Sequence, residues 1–187
     1  IDLQHNALTA WLKKELRVKH YTVNNLHFRK TVYTRFKINI MGGRHRVDTY
    51  FETVKPLGVT NDGDGLDFFI APKEEIKRED IPAAHYAGYI AAVIGGVHFS
   101  KRWPADKWKE FCNRMDHPII LLGNKADAAI GREIAGADPV KIYNACGKFS
   151  LNETADILRK AKLVISHDTG LMQVAAAFKR PIITLWG

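Results

Sequence analysis

The chain of 187 residues is short of long apolar runs and of cysteine, and each shortage narrows its possible roles. No apolar run approaches the roughly 18 residues of a membrane-spanning helix, so the sequence predicts none. The two cysteines, Cys112 and Cys146, lack the spacing of metal ligands. We therefore expect packed thiols in a reducing cytosol and no metal site. Zinc-finger spacing and an RNA-recognition consensus are also missing, so we do not expect nucleic acid as a partner despite the net charge of +8.

Acidic residues are scarce at one end of the chain only. Residues 1–46 contain ten Lys/Arg and two Asp/Glu, whereas residues 47–187 contain eighteen of each. Within the basic segment 13–46, apolar residues recur every four positions in a predicted helix: Phe28, Val32, Phe36 and Ile40. Such a basic amphipathic segment is typical of proteins that bind an anionic membrane surface or a phosphorylated acceptor. The alternative is an ordinary amphipathic helix, whose apolar side packs in the protein core and whose basic side faces solvent.

Short apolar runs alternate with amphipathic segments from residue 89 onward. We predict strands at 89–94, 118–122, 141–144, 163–166 and 182–186, separated by helices at 104–115, 126–135, 151–160 and 170–178. This alternation is typical of a doubly wound parallel sheet, and hence of an α/β protein.

The first part of the chain reads as the remainder of another α/β domain. Short strands are predicted at 1–4, 20–23 and 67–70, with helices at 8–16 and 47–57. The charged run 73–80, followed by Ile81 and Pro82, suggests an interdomain linker. We therefore predict two domains, 1–80 and 81–187.

Four polar or glycine-rich segments follow predicted strands, where an open parallel sheet binds its ligands: 95–101, 123–127, 147–150 and 167–170. Thr169 and Gly170 open a helix whose first N–H groups favour an anion, and Lys101 adds a positive charge. These three residues are our candidates for a diphosphate. Asp127 is a candidate for a ribose hydroxyl, with a helix-capping role as the alternative. His167 is more typical of a positioned turn residue than of a base.

Three sequence blocks together resemble the ADP-heptose:lipopolysaccharide heptosyltransferases, glycosyltransferase family 9. They are KLVISHDTGLMQVAAAFKRPIITLWG at 162–187, IGGVHFSKRWPADKW at 94–108 and GNKAD at 123–127. The similarity continues through VDTYFETVKPLG and IDLQHN, and so covers nearly the whole chain. It implies a GT-B fold of two Rossmann-like domains, the N-terminal one partial here. It also implies inverting transfer of a heptose from ADP-heptose to a lipopolysaccharide-core or related glycan acceptor.

The resemblance also implies a set of donor-binding residues. These are Gly96, Val97, Lys101, Asp127, Phe149, Asp168, Thr169, Gly170 and Gln173. Lys101 would in addition stabilise the charge that develops on the departing nucleoside diphosphate, without a metal or cofactor. The family usually has His at the position of Gln173, so a neutral amide replaces a ring that can carry charge.

In the resembled family, a first βα unit precedes the position of Ile1 and carries the acidic residue proposed as the catalytic base. We therefore expect this chain to be a central piece of a longer enzyme, inactive alone. The enzyme is expected in the cytoplasm, with peripheral binding to the inner face of the cytoplasmic membrane through residues 13–46. A nucleotide-sugar epimerase and a noncatalytic nucleotide-sugar or glycan-binding module are the alternative functions.

Overall fold

The computed structural model describes residues 1–23, 27–38, 45–96 and 101–186. Its contacts divide the chain into two compact units, Ile1–Asp64 and Gly65–Gly187. The boundary between the two units, at 64/65, lies before the boundary at 80/81 that the charged run suggests. The reason is that residues within the run bind the second unit: the backbone N–H of Ile76 donates to Oδ2 of buried Asp156 at 2.8 Å.

Among its described residues, the first unit has the α-helices α1 (Ala7–Leu16), α2 (His27–Phe36) and α3 (Arg46–Val54). Asn6 caps α1 through a reciprocal pair of hydrogen bonds with Thr9. The strands predicted at 1–4 and 20–23 reduce to one isolated parallel bridge, Asp2 with Thr22. Lys13 Nζ lies 2.7 Å from Oδ2 of Asp2 and holds the pKa of that carboxyl well below its usual range.

The strand predicted at 67–70 was wrong, since these residues, all described, belong to no strand or helix. Phe68 packs against another aromatic ring, whereas Phe69 is 87% exposed. The ring of Phe68 meets that of Phe178 edge to face, with centroids 5.8 Å apart.

The second unit is built on a parallel five-stranded sheet, so the predicted α/β class is confirmed. The strand order is β3-β2-β1-β4-β5. The strands are β1 (Ile90–Val93), β2 (Ile119–Leu122), β3 (Ile142–Asn144), β4 (Leu163–His167) and β5 (Ile182–Leu185). All five match the predicted strands to within a few residues at either end. Consecutive strands run outward from β1 in both directions, which creates a switch in strand order between β1 and β4.

Four helices connect these strands: α4 (Ala105–Arg114), α5 (Ala128–Ala135), α6 (Leu151–Lys160) and α7 (Gly170–Ala177). A capping box begins α6, with the Ser150 hydroxyl accepting from the Glu153 N–H and the Glu153 carboxylate accepting from the Ser150 N–H.

Both faces of the sheet are covered, and successive residues of β1 show why its sequence is apolar throughout. Ala91 and Val93 pack in one core layer with Ile157 of α6. Ile90 and Ala92 pack in the opposite layer with Trp108 of α4. Side chains alternate across a strand, so a strand covered on both sides needs apolar residues at every position.

Cys112 and Cys146 are free thiols buried in the same core layer as Trp108. Burial raises the pKa of Cys112 to about 11 and that of Cys146 to about 12. The predicted packing of both thiols is therefore confirmed.

Candidate functional site

A cavity of about 710 Å³ opens at the carboxyl ends of β1, β2 and β4. The loops that follow these strands and the first turns of α7 supply most of its walls. Of the predicted donor-binding residues, the following line it: Gly96, Lys101, Asp127, Asp168, Thr169, Gly170 and Gln173. Residues from segments 67 positions apart are thus brought to one crevice, at the switch in strand order.

The turn from β4 into α7 gives this crevice a helix N-terminus. Thr169 is the N-cap of α7, and its hydroxyl accepts from the Met172 N–H at 3.4 Å. Gly170 is the first helical residue, and nothing lies within 4 Å of a Cβ built on it. The first N–H groups of a helix have no acceptor inside that helix, and the helix dipole adds partial positive charge there. This end of α7 is therefore suited to an anionic group.

Lys101 is paired with the residue that precedes this helix start. Its Nζ lies 2.6 Å from Oδ2 of Asp168, with the two side chains 41% and 34% exposed. An ion pair this exposed adds little to stability, because water and salt screen it. Its chemical importance is that it holds a cation beside the helix N-terminus.

Arg102, the next residue, connects the loops that follow β1 and β2. Its Nε donates to the carbonyl oxygen of Gly96 at 2.6 Å, and one terminal nitrogen lies 3.3 Å from Oδ1 of Asp127. The sequence interpretation did not select Arg102. Its position directly after Lys101 was the only signal available, and the partners of its guanidinium lie in two separate loops.

Asp127 is only 2% exposed and uses both carboxylate oxygens. Oδ2 accepts from the Asn124 N–H at 2.9 Å, while Oδ1 faces Arg102. A Cβ at Gly95 would collide with Oδ2, which explains the glycine there. The capping alternative for Asp127 is therefore confirmed, and the ribose contact stays a prediction.

Trp103 is the third consecutive residue, after Lys101 and Arg102, that contacts a distant segment of the chain. Its backbone N–H donates to Nε2 of His167, the last residue of β4, at 2.9 Å. The His167 side chain is 1% exposed. Burial lowers the pKa of His167, Arg102 acts in the same direction, and the Gly95 backbone opposes both. The expectation of a positioned turn residue agrees with this contact.

Two predicted donor contacts, Phe149 and Val97, stay predictions. Phe149, which is described, packs against the core layer that contains Ile157 and does not line the cavity. Val97 lies outside the described residues.

Sequence interpretation missed the apolar part of the cavity wall. Val93 comes from the end of β1, Leu171 and Val174 from α7, and Leu151 from the start of α6. The spacing of 171 and 174 on one helix, beside Gly170, was the available signal. An apolar wall next to a helix N-terminus and a lysine suits a ligand that joins a flat ring system to an anionic group.

No group of three or more His, Cys, Asp and Glu side chains that could hold a metal ion occurs in residues 1–23, 27–38, 45–96 and 101–186.

An open parallel sheet with helices on both faces, and a crevice at its strand-order switch, defines a Rossmann-like α/β domain. The chain belongs to glycosyltransferase family 9, the heptosyltransferases, because the model of that family matches residues 1–187. The resemblance stated from the sequence motifs is thereby confirmed.

Curated relatives carry heptosyltransferase names. The chain is 36% identical over 107 residues to lipooligosaccharide heptosyltransferase 2 of Haemophilus influenzae, covering 52% of this chain and 31% of that protein. It is 30% identical over 157 residues to lipopolysaccharide heptosyltransferase 1 of Salmonella typhimurium, covering 81% and 47%. The chain thus spans less than half the length of each of these relatives.

Solved structures agree with the fold. The E. coli heptosyltransferase WaaC with ADP-2-deoxy-2-fluoro heptose is 26% identical, with a TM-score of 0.61 over 80% of this chain and 47% of that one. A family 9 glycosyltransferase from Veillonella parvula is 20% identical, with a TM-score of 0.66 over 98% and 63%. The second likeness supports the fold alone, and both agree with the expected GT-B architecture.

Proposed function

We propose that the protein containing this chain is an inverting glycosyltransferase that moves a heptose from ADP-heptose to a lipopolysaccharide-core or related glycan acceptor. The observation that carries this proposal is the pairing of Lys101 with Asp168 beside the N-terminus of α7, in a chain of the heptosyltransferase family. The named relatives are lipopolysaccharide and lipooligosaccharide heptosyltransferases, which supports the choice of sugar and acceptor.

The donor would bind with its diphosphate at Thr169 and Gly170, where the helix start favours negative charge. Lys101, held beside this helix start by Asp168, would contribute a second favourable charge. The nucleoside would lie against the apolar wall formed by Val93, Leu171 and Val174. No cofactor or metal is part of this proposal, because the nucleotide sugar is itself the substrate and the charges come from the protein.

Transfer would proceed by direct displacement. A general base takes the proton from an acceptor hydroxyl, whose oxygen attacks the anomeric carbon. The bond from that carbon to the phosphate oxygen breaks at the same time, and its electron pair leaves with ADP. Lys101 stabilises the developing negative charge on ADP, since its ammonium is already held near the helix N-terminus. Attack opposite the leaving group inverts the anomeric configuration.

Gln173 lies on the exposed side of α7 and lines the cavity. Its amide can donate to and accept from a sugar hydroxyl, but it carries no charge at any ordinary pH. We propose that it orients the donor sugar and takes no part in proton transfer.

The acceptor would be met by the basic first part of the chain, where residues 1–46 carry a charge of +8. Helix α1 carries Lys14 in its last turn and also Trp11, which is 58% exposed. Cationic and interfacial aromatic residues together favour an anionic membrane surface. We propose that the enzyme works in the cytoplasm, with peripheral contact to the inner face of the membrane and no nucleic-acid partner.

No helix in the described ranges is long and apolar enough to cross a lipid bilayer.

The test is calorimetric titration of the full-length protein with ADP-, UDP- and GDP-sugars, followed by a transfer assay with a lipopolysaccharide-core acceptor. We expect binding of the ADP-sugar in preference to the others, and transfer with inversion. Binding without transfer would favour a noncatalytic module. Conversion of the donor without acceptor would favour an epimerase, and failure of every nucleotide sugar to bind would remove the proposed site.

A further inference from the structure

His167 connects the end of β4 to the segment that carries Lys101. Its ring is 1% exposed, and its Nε2 accepts the Trp103 N–H at 2.9 Å. A ring nitrogen that accepts carries no proton, so the neutral ring must hold its proton on Nδ1. The contact therefore requires one protonation state and one tautomer.

The neighbouring residue makes a second connection between the same two segments. Asp168 pairs with Lys101, two positions before Trp103. The side-chain link is part exposed, whereas the link from His167 joins a buried ring to a backbone N–H. The backbone link sets where residues 101–103 lie, and the side-chain link then determines the direction of the Lys101 ammonium.

We infer that His167 is a positioning residue for donor binding: its neutral ring, as a hydrogen-bond acceptor, holds residues 101–103 so that Lys101 reaches the diphosphate, and protonation of Nε2 releases them. This inference rests on the proposed function of the crevice. It assigns His167 no contact with substrate and no proton transfer in the reaction.

The surroundings of His167 oppose its protonation. The Trp108 ring of α4 packs edge to face on it, with centroids 5.7 Å apart. Arg102 is the nearby cation from the preceding loop, while Lys101 and Asp168 are engaged with each other. The Gly95 backbone after β1 acts the other way. Burial is the largest of these effects, so the pKa of His167 falls below the ordinary value near 6.5.

The direction of the pH effect follows from that lowered pKa. The folded protein binds this proton less readily than the unfolded chain, so acidification below about 6.5 favours the unfolded chain. The stability that depends on neutral His167 is fully present above that pH. Donor binding should weaken over the same acidic range, because the Trp103 N–H loses its acceptor. The diphosphate of a nucleotide sugar is esterified at both ends, so its own charge does not change there.

Two substitutions in the full-length protein separate the role of the His167 ring as a hydrogen-bond acceptor from its role in packing. His167→Gln supplies an oxygen that can accept the Trp103 N–H and does not titrate. His167→Phe retains a ring against Trp108 and supplies no acceptor. The matched control is His85→Phe, since His85 is also 1% exposed but its ring contacts the Ile119 carbonyl at 3.1 Å, away from the crevice.

The measurements are the Kd for an ADP-sugar between pH 8 and pH 5, and the amide chemical shift of Trp103 without ligand. At pH 8 we expect His167→Phe to bind at least about fivefold more weakly, and His167→Gln to stay within about threefold of wild type. The acidic loss of affinity should be present in wild type and absent in His167→Gln. His85→Phe should lose stability while keeping its donor affinity.

Wild-type affinity in His167→Phe, or an equal loss in His85→Phe, would overturn the inference. A Trp103 amide shift that does not follow titration of the His167 ring would also overturn it, even if His167→Phe fails to fold. That spectroscopic result needs no donor. If wild type binds no nucleotide sugar, the proposed function fails, and the Trp103 amide still decides whether His167 holds this segment.

Discussion

Lys101 and Asp168 are 67 positions apart, yet the ammonium of one lies 2.6 Å from the carboxylate of the other. Lys101 follows β1 and Asp168 follows β4, and these strands are neighbours in the sheet. Parallel pairing brings the ends of both strands to the same edge. The pair therefore marks the point where the crevice gathers charge from two distant parts of the chain.

Removal of either member of this pair should weaken donor binding. We expect Lys101→Ala and Asp168→Ala each to raise the Kd for an ADP-sugar at least tenfold, about 1.4 kcal/mol. Lys101→Ala removes a positive charge that the diphosphate needs. Asp168→Ala removes the carboxylate that holds the Lys101 ammonium in position beside the helix N-terminus. Lys107→Ala is the matched control, because Lys107 pairs with Glu110 on the exposed face of α4. Calorimetric titration is the measurement, and unchanged affinity in both variants would contradict the site.

Arg102 should matter for stability through Asp127. Arg102→Ala leaves a carboxylate that is 2% exposed without its counter-charge, and we expect a loss of about 1–3 kcal/mol in the free energy of unfolding. Asp127→Asn keeps an oxygen for the Asn124 N–H, so the double variant should lose less than the sum of the two single losses. Urea unfolding of all four proteins measures the difference. Strict additivity would show that the two side chains do not interact.

Asp156 should be among the most sensitive polar positions. It is fully buried, and its carboxylate accepts from the Ile76 N–H, from Arg159 and from Lys160. We expect Asp156→Ala to cost about 3–5 kcal/mol, since three donors lose their acceptor. Hydrogen exchange should show faster exchange at the Ile76 amide. The control is Asp106→Ala at an exposed i,i+3 pair, which should stay within about 0.5 kcal/mol. Slow exchange of Ile76 in the variant would contradict its anchoring by Asp156.

The two thiols should be unreactive in the folded protein. Their pKa values of about 11 and about 12 leave almost no thiolate at pH 8, and burial blocks access as well. We expect a thiol reagent to modify neither cysteine under native conditions and both after denaturation. Rapid modification of Cys112 or Cys146 in the folded protein would show that the core around α4 opens.

The parallel sheet was open to prediction because its signal is local. Each strand of the second unit is a short apolar run, and each helix between strands has its own periodicity and starting residue. The charged run 73–80 shows where local reading fails. Its composition is that of a linker, but Ile76 within it supplies an N–H to Asp156, which lies 80 positions later.

The site divides in the same way. The turn that begins α7 and the lysine of the Lys-Arg-Trp-Pro block were visible as motifs. The contacts between Arg102 and Asp127 and between Trp103 and His167 were not, because each joins two segments that are distant in the sequence. Phe149, which the family resemblance selected, is partly buried against the core layer that contains Ile157, and its donor contact stays a prediction.

The sequence alone determined the succession of strands and helices along the chain, the family, and the residues near the helix N-terminus. Periodicity, capping and short motifs act over a few neighbouring positions, so they can be recognised without the fold. Only the tertiary structure decided which charged groups meet, which carboxylate is buried and which histidine nitrogen accepts a hydrogen bond. Those contacts depend on distances between strand ends, and strand order sets these distances after the chain has folded.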